Sequence, residues 1–147
     1  MTENEFRIIH SKLIEYYQSI EFHLKGICAD YHQDEGKDWF QCLQEYKSDP
    51  FGSLIKEIER IQKSLKYPQL TKEDIKELNS IREERNYWVH RCFGIEDNVT
   101  FSSKGELKSQ RHAVRIKQAL NDASTWNEKL TETGRKIRGG RTPKINL

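Results

Sequence analysis

Apolar residues recur every three or four positions through four long segments of the chain, a spacing that places them on one face of an α-helix. The segments span residues 3–32, 54–65, 71–93 and 109–133, and a fifth, shorter pattern lies near residues 38–47. Helices with one apolar face bury it against each other, and short connections favour antiparallel neighbours. The sequence therefore predicts an all-α, antiparallel helical bundle of four main helices and a short one.

Two of these helices carry start signals in the sequence. Thr2 is followed three residues later by Glu5, and Thr71 is followed three residues later by Asp74. A hydroxyl side chain with an acidic residue three positions on forms a capping box, in which each side chain bonds the backbone N–H of the other residue. Residues 95–108 lack a helical pattern and are expected to be a loop, with a short hairpin at NVTF and GEL.

The length of the chain limits its domain organisation. With 147 residues it has room for a single core, so one domain is predicted over residues 1–134. Residues 135–147 contain five basic residues, no acidic residue and no apolar face. This composition predicts a basic, flexible tail.

Composition narrows the class of protein. The net charge is only +2, so no overall field argues for a nucleic-acid partner. The three cysteines are odd in number and widely spaced, which favours reduced thiols in a cytosolic protein over a disulfide framework or a zinc site. No leader pattern is recognisable, and no apolar run reaches the about 18 residues that a membrane helix needs. We therefore expect a cytoplasmic protein with no membrane contact.

The helix over residues 71–93 places two arginines on its apolar face. Its apolar residues fall within an arc of about 140° on a helical projection; they are Ile75, Leu78, Ile81, Trp88, Val89, Cys92 and Phe93. Arg85 falls near the middle of this arc and Arg82 just inside its edge. Because a guanidinium stays charged, burying one without a partner costs several kcal/mol. The pattern implies a carboxylate, a water-filled cleft or an anionic ligand opposite this face.

A polar stripe adjoins the arginines and consists of Asn79, Glu83, Asn86 and His90. On a straight α-helix Arg85 and His90 lie about 140° apart in direction and ~7.5 Å apart along the axis. Both can reach one phosphate only if the helix ends or bends near His90, or if a second chain supplies part of the site. The alternative is a solvated flank of a core helix, in which Arg85 is paired with a neighbour or reaches out to solvent.

The segment RNYWVH, residues 85–90, resembles the signature of the HEPN superfamily, in which an Arg is followed by a polar residue, a few mostly apolar residues and a His. The position of the motif near the end of a late helix, and the size and helical order of the chain, are also similar to that family. The superfamily comprises small helical-bundle proteins, many of them prokaryotic toxins or anti-phage effectors. The resemblance implies an HEPN-like fold over residues 3–133 and an endoribonuclease that acts as a homodimer with a composite active site.

The resemblance also implies roles for three residues. The RNA 2′-OH is an internal nucleophile, so the protein supplies proton transfer and charge stabilisation without a metal or another cofactor. Histidine titrates near neutral pH, which suits His90 as general base or acid. Arg85 would hold the scissile phosphate and stabilise its growing charge. Asn86 would orient the histidine or bond the phosphate, and the product would carry a 2′,3′-cyclic phosphate.

Other expectations concern the surroundings of this motif. Arg82, Glu83 and Arg91 lie outside the core motif and are candidates for binding the RNA backbone or for tuning His90. A cognate antitoxin or inhibitor protein is a possible partner of a toxin. A toxin branch of the superfamily has a modified Tyr two residues after the His, whereas Cys92 stands there in this chain. That antitoxin mechanism is therefore not expected.

Two alternatives to the ribonuclease hypothesis stay open. The superfamily includes members that bind nucleotides or proteins without cleaving RNA, so the chain is alternatively a non-catalytic module that binds a protein or nucleotide through Arg82 and Arg85. A plain structural bundle is a further alternative, but it leaves an arginine on a buried face without a ligand. The remaining histidines lack the spacing of metal ligands, so no metal site is expected.

Overall fold

The computed structural model describes residues 1–33, 36, 38–46, 50–66 and 68–139. Five α-helices and one π-helical turn make up the regular structure of these residues. They are α1 (Glu3–Gln33), α2 (Trp39–Glu45), α3 (Phe51–Ser64), α4 (Lys72–Asn86), the π turn (Tyr87–Arg91) and α5 (Gln110–Arg138). The all-α helical bundle predicted from the sequence is confirmed.

Both predicted capping boxes are present. The Thr2 hydroxyl accepts from the Glu5 N–H at 3.1 Å, and the Thr2 N–H donates to the Glu5 carboxylate at 2.8 Å. Thr71 and Asp74 bond each other in the same reciprocal way at 3.1 Å and 2.8 Å. Each box satisfies N–H groups that a helix start leaves without a partner, so α1 and α4 begin where the sequence predicts.

The core lies where α1, α3, α4 and α5 meet. These helices contribute side chains that are fully shielded from solvent, among them Phe6, Leu13, Ile20, Leu24, Ile27, Leu54, Ile55, Ile58, Leu78 and Ile116. Each such side chain stabilises the fold by about 1.5–3 kcal/mol relative to an exposed one. Helix α4 packs against α3 and α5, and the π turn that follows it packs against α1.

The directions of the helices depart from a purely antiparallel bundle, because α1 runs parallel to both α3 and α5. Helices α4 and α5 are antiparallel, since Glu77 bonds Trp126 and Glu84 bonds Arg115. Helices α1 and α5 run parallel, because the hydrogen bonds between them join residues 108 positions apart at two levels. The chain enters α3 after the short helix α2, and α3, α4 and α5 then alternate in direction, so α5 returns parallel to α1.

The connection before α5 contains the expected hairpin. The Ser102 N–H donates to the Glu106 carbonyl at 2.7 Å, and the Lys108 N–H donates to the Thr100 carbonyl at 3.0 Å. The hairpin is tied to the start of the chain, where the Glu3 N–H donates to the Gly105 carbonyl at 2.8 Å. The start of α1 therefore lies beside the connection that follows the candidate motif.

Helix α5 is longer than the sequence predicts. It runs to Arg138, so the first four residues of the expected tail are helical, and the left-handed residue that caps it is Gly139, with φ 56°. Arg138 lies 3.3 Å from the buried carboxylate of Asp30, a contact that holds this last turn against α1. The rest of the expected tail, residues 140–147, lies outside the described residues. None of the described helices combines the length and the apolar composition that crossing a membrane requires.

Candidate functional site

A π turn contains one of the two main candidate residues, His90, and follows the other, Arg85. The α-helical pattern of α4 ends at Asn86, and the five residues Tyr87–Arg91 follow with π geometry. The Cys92 N–H donates to the Tyr87 carbonyl at 2.8 Å, which is a hydrogen bond across five residues. Because a π turn accommodates more residues per turn than an α-helix, it brings His90 closer in direction to Arg85 than a straight helix does. The departure from a straight helix near His90, which the sequence requires of a shared site, is therefore present.

A histidine of α1 supports the π turn. His10 Nε2 lies 2.8 Å from the Trp88 carbonyl oxygen, and the Cys92 thiol donates to the same oxygen at 3.2 Å. In a regular α-helix this carbonyl would accept from the Cys92 N–H, which bonds the Tyr87 carbonyl instead. The tautomer with its proton on Nε2 lets His10 replace the missing donor. The π turn is thus satisfied by a side chain from another helix.

Two hydrogen bonds and a stacked guanidinium hold the aromatic residues of the π turn, Tyr87 and Trp88, in place. The Tyr87 hydroxyl donates to the Asp97 carbonyl at 2.6 Å, and the Trp88 indole N–H donates to the Glu84 carboxylate at 3.0 Å. The Arg115 guanidinium bonds Glu84 at 2.8 Å and stacks 3.7 Å from the centre of the Tyr87 ring. The hydrogen bond that Arg115 donates to Glu84 is the main reason that the pKa of Arg115 lies above its ordinary value. These contacts fix the backbone that carries His90.

Arg85 is half-buried and has no carboxylate partner among the described residues. Its guanidinium carbon lies 5.8 Å from the centre of the Phe51 ring at the start of α3, and its Nη1 donates to Asn86 Oδ1 at 3.4 Å. That hydrogen bond is long, and a ring face compensates little of the cost of removing a guanidinium from water. Arg85 therefore keeps most of its capacity to bind an anion.

Arg82 lies beside it and crosses the first turn of α3. Its Cδ lies 3.2 Å from the position that a β-carbon on Gly52 would occupy, so the absence of a side chain at Gly52 allows this approach. The Arg82 Nε is buried and finds no hydrogen-bond acceptor in the described part of the chain. The N-terminus of α3 adds positive potential to that of Arg82 and Arg85. The arginines thus form a positively charged site between α3 and α4.

His90, Arg91 and Glu83 lie on the exposed surface of the turn and of α4. The side chains of these three residues form no hydrogen bond or ion pair with any described residue. Val89 and Phe93, predicted to be in the buried arc, are 39% and 52% exposed, so that prediction was wrong for both. Trp88 and Cys92 of the same arc are buried, so the turn keeps one face against the core while Val89 and Phe93 lie at its exposed edge. His90 is therefore flanked by exposed apolar side chains.

The structure thus brings some of the candidates together and separates others. Arg85 and Asn86 are in contact, and Arg82 lies on the same side of α4 toward α3. His90 lies one π turn further on, while Arg91 and Glu83 face solvent.

The supporting residues His10, Glu84, Tyr87 and Arg115 were missed from the sequence. Neither spacing nor a motif connects them with the candidate residues. His10 contacts a residue 78 positions away, and Arg115 pairs with a residue 31 positions away. Glu84 and Tyr87 lie within or next to the motif region, but the sequence gives no sign of their partners.

The cysteine thiols and the side chains that could bind a metal ion also bear on the chemistry of the site. The three cysteines are buried thiols that form no disulfide, and burial raises the pKa of the Cys92 thiol, which makes it a poor nucleophile. In the described ranges, no three His, Cys, Asp or Glu side chains are grouped so that they could hold a metal ion.

Comparison of the chain with protein-family models, with curated proteins and with solved structures gives no match.

Proposed function

We propose that this protein is a metal-independent endoribonuclease of the HEPN type that acts as a homodimer, in the role of a toxin or anti-phage effector. The observation that carries the proposal is the arrangement of Arg85 and His90. A half-buried guanidinium without a carboxylate partner in the described residues lies just before a π turn that carries an exposed imidazole. An unpaired arginine at such a position suits an anionic ligand, and a phosphodiester is the ligand that the motif implies.

The reaction needs only groups that this site supplies. His90 accepts the proton of the RNA 2′-OH, and the 2′ oxygen attacks the adjacent phosphorus. Arg85 bonds the non-bridging oxygens and stabilises the charge that grows on them, with Arg82 adding to the positive potential. The bond to the 5′ oxygen breaks, and that oxygen takes a proton from His90 of the partner subunit. The products are a 2′,3′-cyclic phosphate and a 5′-hydroxyl.

The composite site is part of the proposal because His90 lacks an orienting partner in a single protomer. Asn86, which was expected to orient the histidine or to bond the phosphate, accepts a hydrogen bond from Arg85 and does not contact His90. Val89 and Phe93 give the same surface an apolar component that a second copy of the chain would cover. A two-fold axis along this segment would bring two Arg–His sets into one cleft. Asn86 then acts on the phosphate through Arg85, and Arg91 contacts the RNA backbone.

A non-catalytic module is the second candidate, and the same exposed His90 favours it. An imidazole without an orienting hydrogen bond is a weak base catalyst, whereas the exposed apolar residues beside it suit a protein partner. In that case the arginines recognise an acidic segment or a nucleotide phosphate without cleavage.

One assay distinguishes the ribonuclease from the non-catalytic module. The purified full chain is incubated in EDTA with a set of structured and unstructured RNAs and with DNA of the same sequences. The ribonuclease proposal predicts cleavage of RNA with 2′,3′-cyclic phosphate ends and no cleavage of DNA, because DNA lacks the nucleophile. A folded dimer that binds RNA or a nucleotide and leaves every RNA intact would support the non-catalytic module.

A further inference from the structure

A cleft of ≈ 390 Å³ lies between α4 and α5, with α1 beneath it, and the candidate site does not use it. Its volume is within the range of small-molecule sites in proteins. The residues that matter for its chemistry are Tyr17, Glu77, Ile81, Glu84, Asp122 and Trp126. The cleft therefore combines three carboxylates with an aromatic and aliphatic wall.

The charge in the cleft is only partly compensated. Glu84 is paired with Arg115 at 2.8 Å, but within the described residues neither Glu77 nor Asp122 forms an ion pair. Glu77 accepts from the Trp126 indole N–H at 3.2 Å, and Asp122 accepts from the Gln118 amide at 2.8 Å. Neutral donors orient these two carboxylates without cancelling their charge, so the cleft attracts a cation.

A buried hydroxyl points to a ligand in the same place. Tyr17 is 2% exposed and lines the cleft, yet its hydroxyl is buried without a hydrogen-bond partner among the described residues. A buried hydroxyl left unsatisfied costs about 1–3 kcal/mol. Burial, followed by the charges of Glu84 and Asp122, raises the pKa of Tyr17, so the hydroxyl stays neutral. Its oxygen therefore lacks the hydrogen bond that a cationic donor in the cleft would supply.

The wall of the cleft suits an organic cation better than a metal ion. The Trp126 ring already makes a cation–π contact within the chain, since Lys129 Nζ lies 4.9 Å from its centre. Ile81 offers apolar surface to an alkyl chain. The described carboxylates do not form a group that could hold a metal ion. An alkylammonium group satisfies all these features because it carries charge, donors and an apolar stem together.

We infer that the cleft between α4 and α5 binds an alkylammonium group, with Asp122, Glu77 and the Tyr17 hydroxyl as its main polar contacts. The group comes from a free polyamine or from the lysine side chain of a peptide. The inference is independent of RNA cleavage, since it concerns the side of α4 toward α5.

Calorimetric titration of the full chain at low salt tests the inference, with 1,4-diaminobutane as the first probe and 1,4-butanediol as its uncharged counterpart. We expect binding of the diamine that weakens as salt is added, and no binding of the diol. Glu77→Gln with Asp122→Asn in one chain should weaken binding by about tenfold, while Glu128→Gln, an exposed charge change on α5, should leave it unchanged. The absence of diamine binding at millimolar concentration, or equal affinity in the double variant, would overturn the inference.

Two further measurements test the role of the Tyr17 hydroxyl and the source of the alkylammonium group. Tyr17→Phe removes the unpaired hydroxyl, so it should leave the melting temperature of the free protein unchanged or raised and still weaken diamine binding by about tenfold. Unchanged affinity would remove the hydroxyl from the site and contradict the inference. Nα-acetyl-lysine N-methylamide serves as the second probe. Tighter binding of this probe than of the diamine would assign the site to a lysine side chain, and the reverse would assign it to a polyamine.

Discussion

The backbone N–H of Cys92 donates to the carbonyl oxygen of Tyr87 at 2.8 Å, a hydrogen bond that spans five residues instead of four. It belongs to the π turn that follows Arg85 and contains His90, and π turns occur frequently at functional sites. Because this turn leaves a carbonyl without its helical donor, it depends on support from another helix, which His10 provides. The position of His90 relative to Arg85 is therefore set by α1 as well as by α4.

Replacing Arg85 should abolish RNA cleavage without lowering the stability of the fold. Arg85→Gln removes a half-buried charge that has no carboxylate partner in the described residues, so we expect the free energy of unfolding to stay unchanged or to rise by up to about 1 kcal/mol. RNA cleavage should be lost. Urea denaturation measures the first effect, and Arg60→Gln is the matched control because Arg60 is exposed and pairs with Glu57 on α3. A loss of about 3 kcal/mol or more, as in a broken buried ion pair, would show that Arg85 has a structural role.

Removal of the His10 imidazole should affect both stability and cleavage. His10→Ala leaves the Trp88 carbonyl without its donor from α1, which should lower the free energy of unfolding by about 1–3 kcal/mol. Cleavage by the folded fraction should also fall, because the π turn would relax and move His90. His23→Ala is the control, since His23 lies on the same helix and bonds Thr131 on α5 instead. Equal cleavage by His10→Ala and wild type would remove His10 from the support of the site.

The surface beside His90 should be needed for assembly. Val89→Asp places a charge on an exposed apolar residue next to His90, so it should leave the fold of one protomer intact and shift the dimer to monomer in light scattering. Cleavage should fall with the dimer fraction. Val114→Asp introduces the same change at another exposed valine, on α5, and should have neither effect. A wild-type protein that is monomeric at assay concentration would rule out a composite site.

Subunit mixing extends this test. Arg85→Ala and His90→Ala chains are each expected to be inactive. If one site takes its arginine and its histidine from different protomers, a mixed dimer retains one complete Arg–His set and regains part of the activity, because it still lacks the second His90 that protonates the 5′ oxygen. Continued inactivity after proven subunit exchange would mean that no such shared set exists.

Acid should weaken the start of α4 through Asp74. Burial alone would raise the pKa of Asp74, but hydrogen bonds from Lys129 and Thr71 and the charge of Lys129 hold it below its ordinary value of 3.8. A lowered folded-state pKa stabilises the fold above the unfolded-state value, and this stability is lost as pH falls through the folded-state value. Asp74→Asn should therefore lower the free energy of unfolding by about 1 kcal/mol at neutral pH and flatten its fall below pH 3.8. Urea titrations of wild type, Asp74→Asn and the exposed control Glu73→Gln at each pH measure this, and identical pH profiles would contradict it.

The sequence predicted those parts of the fold that depend on neighbouring residues. Capping boxes at Thr2 and Thr71 are local chemistry, and both were found where the spacing indicated. Helical periodicity likewise gave the helices and most of the buried arc, namely Ile75, Leu78, Ile81, Trp88 and Cys92. The parallel course of α1 and α5 was not predictable from short connections alone, because it follows from the insertion of α2 before α3.

The candidate site was only partly predictable, because some of its contacts join residues that are far apart in the chain. Arg85 was identified because a charged residue on an apolar arc violates the pattern of its own helix. Neither the π turn nor the exposure of Val89 and Phe93 is indicated by a local pattern in the segment. The support of the turn comes from His10, which is 78 residues from its partner and close to it only in the folded chain.

The most direct test of the proposed chemistry compares RNA cleavage in EDTA by wild type, Arg85→Ala and His90→Ala, with Arg60→Ala and His23→Ala as matched controls for charge and imidazole. All five proteins are first shown to be folded and of the same oligomeric state. We predict 2′,3′-cyclic phosphate products from wild type and both controls, and a loss of cleavage by about 100-fold or more in the Arg85 and His90 variants. Cleavage that persists in either of these two variants, or a folded wild-type dimer that cleaves none of the RNAs, would contradict the assignment of Arg85 and His90 as the catalytic pair.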